Sequence, residues 1–338
     1  MGQPGFFDLD ERYESLSKCG DPLEVLAKEI PWESFRYPIK KALKKPRKSS
    51  AGRKAFDPVL MFKVLVIQNL YNLSDQQTEF MIRDRLSFMR FLGLRLDERV
   101  PDEKTIWLFK DTLAAKKVAE KLFARFDECL IQKGFAAKKG QIMDASIVEV
   151  PRQRNTRQEN QAIRGGEVPD WEENKQRQKD TDARWIKKNG VSYFGYKNHV
   201  STDVKHKLVR QWTVTPASVH DSQVFRQLLD KKNSGRGVWA DSAYRSDEIE
   251  RQLKQKHRSQ IHHKGYRDHS LSEAKQRVNH KRSRTRARVE HIFGFQAGSM
   301  GGKLIRCVGL QRASYKIGMR NLVYNMCRYT QLLRLKTA

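Results

Sequence analysis

The sequence is poor in cysteine, in long apolar runs and, over its last quarter, in acids. Four cysteines in 338 residues, Cys19, Cys129, Cys307 and Cys327, form no Cys-x-x-Cys pair. That excludes a thiolate zinc site and a disulfide framework, suits a reducing cytoplasm, and leaves the cysteines as packing residues. The longest apolar stretch, Val59 to Leu70, is interrupted by Lys63 and Gln68 and falls short of the roughly 20 residues a membrane span needs. The start, MGQPGFFDLDERYE, has neither a basic leader nor an apolar run, and Phe6 stands where a myristoylation signal needs Ser or Thr. A cytoplasmic, nucleoid-associated protein without membrane contact is expected. Gly298, Gly301, Gly302 and Lys303 lack the order of a phosphate-binding Walker loop, so no nucleotide cofactor is expected.

What the chain has is positive charge, 67 Lys and Arg against 39 Asp and Glu for a net +28. It is unevenly spread. Residues 251–338 hold 21 basic residues and only three acids, Asp268, Glu273 and Glu290, and the block from Arg36 to Lys54 puts nine basic residues in nineteen positions with no acid. Clusters of one sign on a chain long enough to bury a core point to a polyanionic partner, nucleic acid first. Lys40, Lys41, Lys44, Lys45, Arg47, Lys48, Arg53 and Lys54 in the first block and Arg282, Arg284, Arg286 and Lys303 in the second are the candidate DNA contacts.

Up to residue 135 the pattern is helical. Asp57-Pro58 caps a buried helix to Leu70, Ser74 to Gln77 has capping-box spacing, and Val118, Leu122 and Phe126 recur every four residues. Short helices on tight turns suit a DNA-reading domain. After Gly134 the period changes. Strands are expected at Gln141–Val150, Val191–Val200, Lys207–Thr215, Arg236–Asp241 and Gln260–His262. Helices are expected at Val219–Leu229, Ser246–Gln255, Ser272–Phe295 and Gln311–Leu335. Residues 152–189, with ten basic and seven acidic side chains, read as a polar insertion outside the core. The order implies a mixed α+β domain over 136–338, a mixed sheet covered by helices, behind a helical domain over 1–135 with a basic arm at 36–54.

Three acids sit where the sequence otherwise avoids them. Asp144 lies inside an apolar strand, Asp241 ends another at Val238-Trp-Ala-Asp, and Glu290 follows Lys281-Arg-Ser-Arg-Thr-Arg-Ala-Arg-Val. Singly, each has a structural explanation: an Asp caps a turn, and Glu290 pairs with Arg286 one helical turn earlier. Together they are hard oxygen ligands on rigid elements. Such ligands can bind two Mg²⁺ ions, or Mn²⁺ in their place, about 3.5–4 Å apart for an in-line phosphoryl displacement. Asp221, next to His220, reads as a helix N-cap, and His199, His262 and His263, with no zinc spacing, as structural histidines. Trp239 reads as core.

The segments IMDASIVEV, SYFGYKNHVSTDVKHKLV, TVTPASVHDS, VWADSAYRS and RTRARVEHIFGF, in that order, resemble bacterial insertion-sequence DDE transposases, most closely the insertion-sequence-five group, over roughly residues 55–335. The resemblance implies a ribonuclease-H-like catalytic domain with Asp144 on its first strand, Asp241 after its fourth and Glu290 on a later helix. It also implies metal-dependent cleavage of the element's terminal inverted repeats, joining of the 3′-hydroxyl to target DNA, and a homodimer on DNA. Members of this kind often carry Tyr, Arg, Glu and Lys around the Glu. Arg286 fits, Ser283 and Ala297 stand for the Tyr and the Lys, and Lys303 is the substitute for the latter. Two other readings use the same residues: a metal-dependent nuclease that cuts without joining, and a non-catalytic DNA-binding protein whose acids only pair with arginines.

Overall fold

The Asp57 carboxylate accepts hydrogen bonds from the amides of Val59 at 2.8 Å and Leu60 at 3.2 Å, and Pro58 fills the first helical position, where a missing N–H costs nothing. The run that follows buries Phe62, Val64, Leu65, Val66 and Ile67. The computed structural model describes residues 7–44, 54–265 and 270–337. Its first helices are α1 (Asp8–Lys18), α2 (Pro22–Glu29), α3 (Arg36–Leu43), α4 (Pro58–Leu70), α5 (Asp75–Asp84), α6 (Leu86–Leu92), α7 (Glu103–Ala115) and α8 (Val118–Gln132). The expected capping box closes at α5, where Ser74 and Gln77 exchange side-chain-to-backbone bonds. Phe35 packs on Phe62 with centroids 4.8 Å apart, and Trp32 stands edge-on to Phe91 at 5.4 Å.

Val59 to Leu70 carries one lysine in this core. Lys63 Nζ donates to the Phe91 carbonyl at 3.1 Å and lies 5.4 Å from the rings of Trp32 and Phe91, so cation–π attraction offsets part of the burial that pushes its pKa down. The basic stretch at 36–54 begins as ordinary helix, because Ile39 and Ala42 of α3 are core residues. Arg36 pairs with Glu33 and Asp57.

The rest comprises β1 (Gln141–Glu149), α9 (Arg157–Gly165), α10 (Glu173–Gln178), β2 (Arg184–Lys188), β3 (Val191–Asp203), β4 (Val209–Pro216), α11 (Phe225–Leu228), β5 (Gly237–Trp239), α12 (Asp247–Lys254), β6 (Arg258–Ser259), α13 (Glu273–Arg286), α14 (Glu290–Ala297) and α15 (Leu310–Thr337). The sheet runs β2-β3-β1-β5-β6, with β4 also on β3. β1, β2 and β4 are antiparallel to β3, whereas β5 is parallel to β1 and β6 to β5. This is the mixed parallel and antiparallel sheet expected from the order of elements in the sequence. Alternation gives each face its own core. Met143 packs with Val224, Phe225, Val238 and Tyr244 on one side, and Val148 and Tyr196 pack with Ile305, Ala313 and Ile317 on the other.

The chain forms two compact units, Met1–Cys129 with Asn325–Ala338, and Leu130–Tyr324. A helix of 28 residues spans about 42 Å, too long for one core, and the ring of Tyr329 lies 6.2 Å from Phe126. The insertion at 152–189 is not outside the core throughout: Ile163, Trp171 and Ala183 are buried, and the Tyr196 hydroxyl lies 2.7 and 2.8 Å from the two oxygens of buried Asp180. Polar composition hid this, since the buried group is an acid that accepts from the nearby Asp182 and Ala183 amides as well as from Tyr196 on β3. Val219–Leu229 forms a 3₁₀ turn, Asp221–Val224, and the single turn α11. Ser272–Phe295 breaks at a 3₁₀ turn, Ala287–Val289, where Val289 turns into the core. The strand expected at Gln260–His262 begins earlier, at Arg258–Ser259, and its bonds to the neighbouring strand run on from the Gln260 amide to the Val238 carbonyl at 2.8 Å and from the His262 amide to the Ala240 carbonyl at 3.1 Å. Among the cysteines, Cys19 is exposed rather than packed.

Candidate active site

The parallel register of β1 and β5 sets the two aspartates side by side. Gln141 is level with Val238 and Ile142 with Trp239, an offset of 97 residues (238 − 141), and 97 is also the separation of Asp144 and Asp241. Continued two residues past the end of β5, that register brings Asp241 level with Asp144 on the neighbouring strand, and the charge of Asp241 acts on Asp144. Asp144 faces the sheet side that carries Ser146 and Val148, opposite Val200 of β3. Asp241 is the N-cap of a 3₁₀ turn, accepting from the Ser242 amide at 2.6 Å. Trp239 is half-buried rather than core, its ring lying so close to the backbone that a Cβ at Gly140 would be 2.6 Å from it.

Asp144 is the perturbed acid. Burial pushes its pKa up, and the charge of Asp241 adds to that, while Arg286, the Ala145 amide and Lys188 work the other way. Arg286 Nη1 donates to Asp144 Oδ2 at 2.6 Å. The expected pairing of Arg286 with Glu290 is thus replaced by a long-range pair that ties the end of α13 to β1.

Glu290 opens α14 one turn beyond Arg286. It is exposed and has no hydrogen-bond or ion-pair partner among the described residues. No three of His, Cys, Asp or Glu among the described residues stand together closely enough to hold a metal ion. The structure thus brings together Asp144 and Asp241 and leaves Glu290 apart. The donor chemistry of the pair nonetheless fits a hard divalent cation: Asp144, whose ionisation burial and the neighbouring Asp241 charge oppose, is relieved by a cation.

Neighbours missed in the sequence complete the setting. Tyr244 is fully buried with a hydroxyl that finds no hydrogen-bond partner, and burial together with Asp221, Asp144 and Asp241 raises its pKa well above the ordinary phenol value. Asp221 is no N-cap; His220 caps that turn, and Asp221 takes the Lys197 ammonium at 2.7 Å. His199, as expected, is structural: its Nε2 lies 2.8 Å from Thr215 Oγ1 and burial lowers its pKa to about 4. His262 Nδ1 lies 3.8 Å from Asp241 and its Nε2 3.3 Å from Ser283, so Ser283, in the Tyr position of the resemblance, reaches the site through a histidine. The alternating pattern of the strands could have shown Lys197 and His199 sharing a face; nothing local in the sequence shows His262 beside Asp241.

Of the candidate DNA contacts, Lys40, Lys41, Lys44, Lys54, Arg284 and Lys303 are exposed. Arg282 is held by the Ile261 carbonyl at 2.6 Å and Arg286 by Asp144. Lys45, Arg47, Lys48 and Arg53 lie outside the described residues. No helix among the described residues is long and apolar enough to cross a membrane.

Comparison with known proteins gives two family matches. Residues 11–112 match a family described as "Transposase domain (DUF772)", and residues 136–326, over half the chain, match one described as "Transposase DDE domain". Among solved structures the chain is similar to the piggyBac transposase in a cryo-EM structure of its synaptic complex with hairpin DNA. The identity is 12% and the TM-score 0.46, over 94% of this chain and 75% of that one.

Proposed function

The chain belongs to the DDE transposase family, and from that premise we propose that it binds the terminal inverted repeats of its own element, cleaves the ends and joins the freed 3′-hydroxyl to target DNA. The observation that carries this reading is the placement of Asp144 on β1 beside the end of the parallel strand β5, two residues before Asp241, with Arg286 bonded to the first acid. In this reading Asp144 and Asp241, with Glu290 brought to them, would hold two Mg²⁺ ions, with Mn²⁺ as a substitute. Bound cations of this kind supply activation of the attacking oxygen and stabilisation of the leaving one.

The protein's own residues do the rest. Lys188 and Arg286, the cations whose charge reaches Asp144, accept the scissile phosphate's negative charge, and Arg286 exchanges a carboxylate for a phosphate oxygen, a chemically similar partner. Arg284 and Lys303 track the adjoining backbone, with Arg282 beside them. The helical domain and the residues Lys40, Lys41, Lys44, Lys45, Arg47, Lys48, Arg53 and Lys54 hold the repeat, phosphate contacts giving affinity and base-edge contacts giving choice. Exchange of one phosphodiester for another needs no nucleotide cofactor, and concerted work on two ends calls for a homodimer on DNA.

The test is Mg²⁺-dependent cleavage and joining of a labelled duplex carrying the DNA that flanks this coding sequence, for wild type and Asp241→Ala, with binding measured alongside. Cleaved and joined products from wild type, and binding without products from the variant, support the proposal. Cleaved but unjoined DNA supports a nuclease, and equal binding with no cleavage by either protein supports a DNA-binding protein without catalysis.

A further inference from the structure

Helix α9, in the polar insertion, has one committed face and one open face. Ile163 is buried beneath it, Arg184 Nη2 bonds the Ile163 carbonyl at 3.1 Å, and Glu159 is held by the Trp171 indole at 2.6 Å and Lys175 at 2.9 Å. A Thr156–Glu159 capping box fixes its start. On the other side Arg157, Asn160, Gln161 and Arg164 fall at i, i+3, i+4 and i+7, a single helical stripe, and together they line an open cleft of about 560 Å³. Arg157, Gln161 and Arg164 are exposed and have no hydrogen-bond or ion-pair partner among the described residues, while Asn160 spends its amide on the Thr156 carbonyl at 2.9 Å.

Of the seven acids in residues 152–189, four are engaged: Glu159 as above, Glu173 by Arg177, Asp180 by Tyr196 and Asp182 by the Leu310 amide at 2.8 Å. Glu167, Asp170 and Glu172 are exposed, but no acid is among the residues that line the cleft, whose charge is therefore guanidinium, complementary to a polyanion. The insertion leaves β1 after Glu149, five residues beyond Asp144 in the direction the strand runs, about 17 Å along it.

We propose that this face of α9 reads the terminal-repeat duplex next to the cleaved phosphate; the inference rests on the transposase reading above. Arg157 and Arg164 are separated by about 10 Å along the helix axis, close to the ~12 Å width of the DNA major groove. Each guanidinium can then bond a phosphate wall, while Gln161 between them meets the base edges. An amide flanked by arginines is suited to sequence choice, because Gln pairs bidentately with adenine and Arg with guanine or phosphate. That favours the element's end over target DNA of arbitrary sequence.

The experiment measures binding of the full chain, by fluorescence anisotropy across a salt series, to a duplex of the DNA flanking the coding sequence and to a scrambled duplex of equal length. Wild type, Arg157→Ala/Arg164→Ala and Gln161→Ala are compared. The double variant is expected to lose at least about tenfold in affinity for the end duplex, with the slope of log K on log salt reduced by about one to two. Gln161→Ala is expected to cut the preference for end over scrambled DNA about five- to tenfold and leave scrambled binding unchanged. All three positions are exposed, so melting temperatures should agree. Wild-type affinity and preference in both variants, with end cleavage intact, overturns the α9 assignment alone. Loss from the double variant without any change of preference in Gln161→Ala overturns the assignment to the repeat. A wild type that binds neither duplex, or shows no preference between them, removes the proposed binding of the terminal repeats and this inference with it.

Discussion

Arg286 and Asp144, 142 residues apart in the chain, share a 2.6 Å charge-assisted hydrogen bond, with side chains 24% and 18% exposed. The nearer acid, Glu290, would have been the local choice. The guanidinium offsets the burial that raises the Asp144 pKa, and it does so at the oxygen a divalent cation would take. Guanidinium and cation therefore compete. Arg286→Gln is expected to tighten Mn²⁺ binding by DNA-free protein about fivefold or more, read by electron paramagnetic resonance, and to cost about 1–2 kcal/mol of stability. Unchanged or weaker Mn²⁺ binding would show that the two do not share a ligand.

His199 gives the fold a dependence on acid. Buried beside Lys197 and Asp221, it has a pKa near 4 against 6.5 when exposed. Between those values the unfolded chain binds a proton that the folded chain does not, so stability falls as pH drops from 6.5 toward 4. For this one group the loss from pH 7 to pH 5 is about 2 kcal/mol. His257, His262 and His263 are also lowered by burial and add in the same direction. Urea unfolding at the two pH values should show a smaller drop for His199→Gln than for wild type; an equal drop would assign the dependence to the other histidines.

How much of this was legible in sequence depends on the range of the interaction. Asp57-Pro58, the Ser74 box and the strand Gln141–Glu149 are set by neighbours a few residues away, and the sequence shows them. Asp144, Asp241 and Glu290 could be picked out because acids are conspicuous among apolar or basic neighbours. The contacts of Arg286 with Asp144, Tyr196 with Asp180 and His262 with Asp241 are made by the sheet order and by the break before Glu290. No periodicity encodes them. The insertion misled for a related reason, since Ile163 and Trp171 are isolated apolar residues in a charged stretch and find their cover only in three dimensions.

A buried amide cluster should position Glu290's helix. Asn198 and Asn321 exchange two 3.0 Å bonds, and Gln296 Nε2 of α14 donates to Asn321 Oδ1 at 2.8 Å. Asn321→Leu leaves the Asn198 and Gln296 amides without that partner, each costing about 1–3 kcal/mol. Adding Asn198→Val removes one stranded group, so the double variant should lose less than the sum of the two single ones by denaturant unfolding. Strict additivity would mean that water already serves these groups.

Glu290 and Asp241 separate stability from catalysis. Glu290 is exposed and makes no bond with the described residues, so Glu290→Gln should change unfolding free energy by no more than about 0.5 kcal/mol. Asp241→Asn keeps an oxygen for the Ser242 amide and should cost less than about 1 kcal/mol. Each nevertheless removes a negative charge from the set assigned to the cations, and cleavage of the end duplex should fall at least about a hundredfold while DNA affinity holds. A structural acid behaves in the opposite way, since its loss lowers stability and leaves residual turnover in proportion to folded protein. Retained cleavage in Glu290→Gln would therefore place the third ligand elsewhere, and Asp221, held by Lys197 behind Tyr244, is the next acid whose charge reaches the same tyrosine as Asp144 and Asp241.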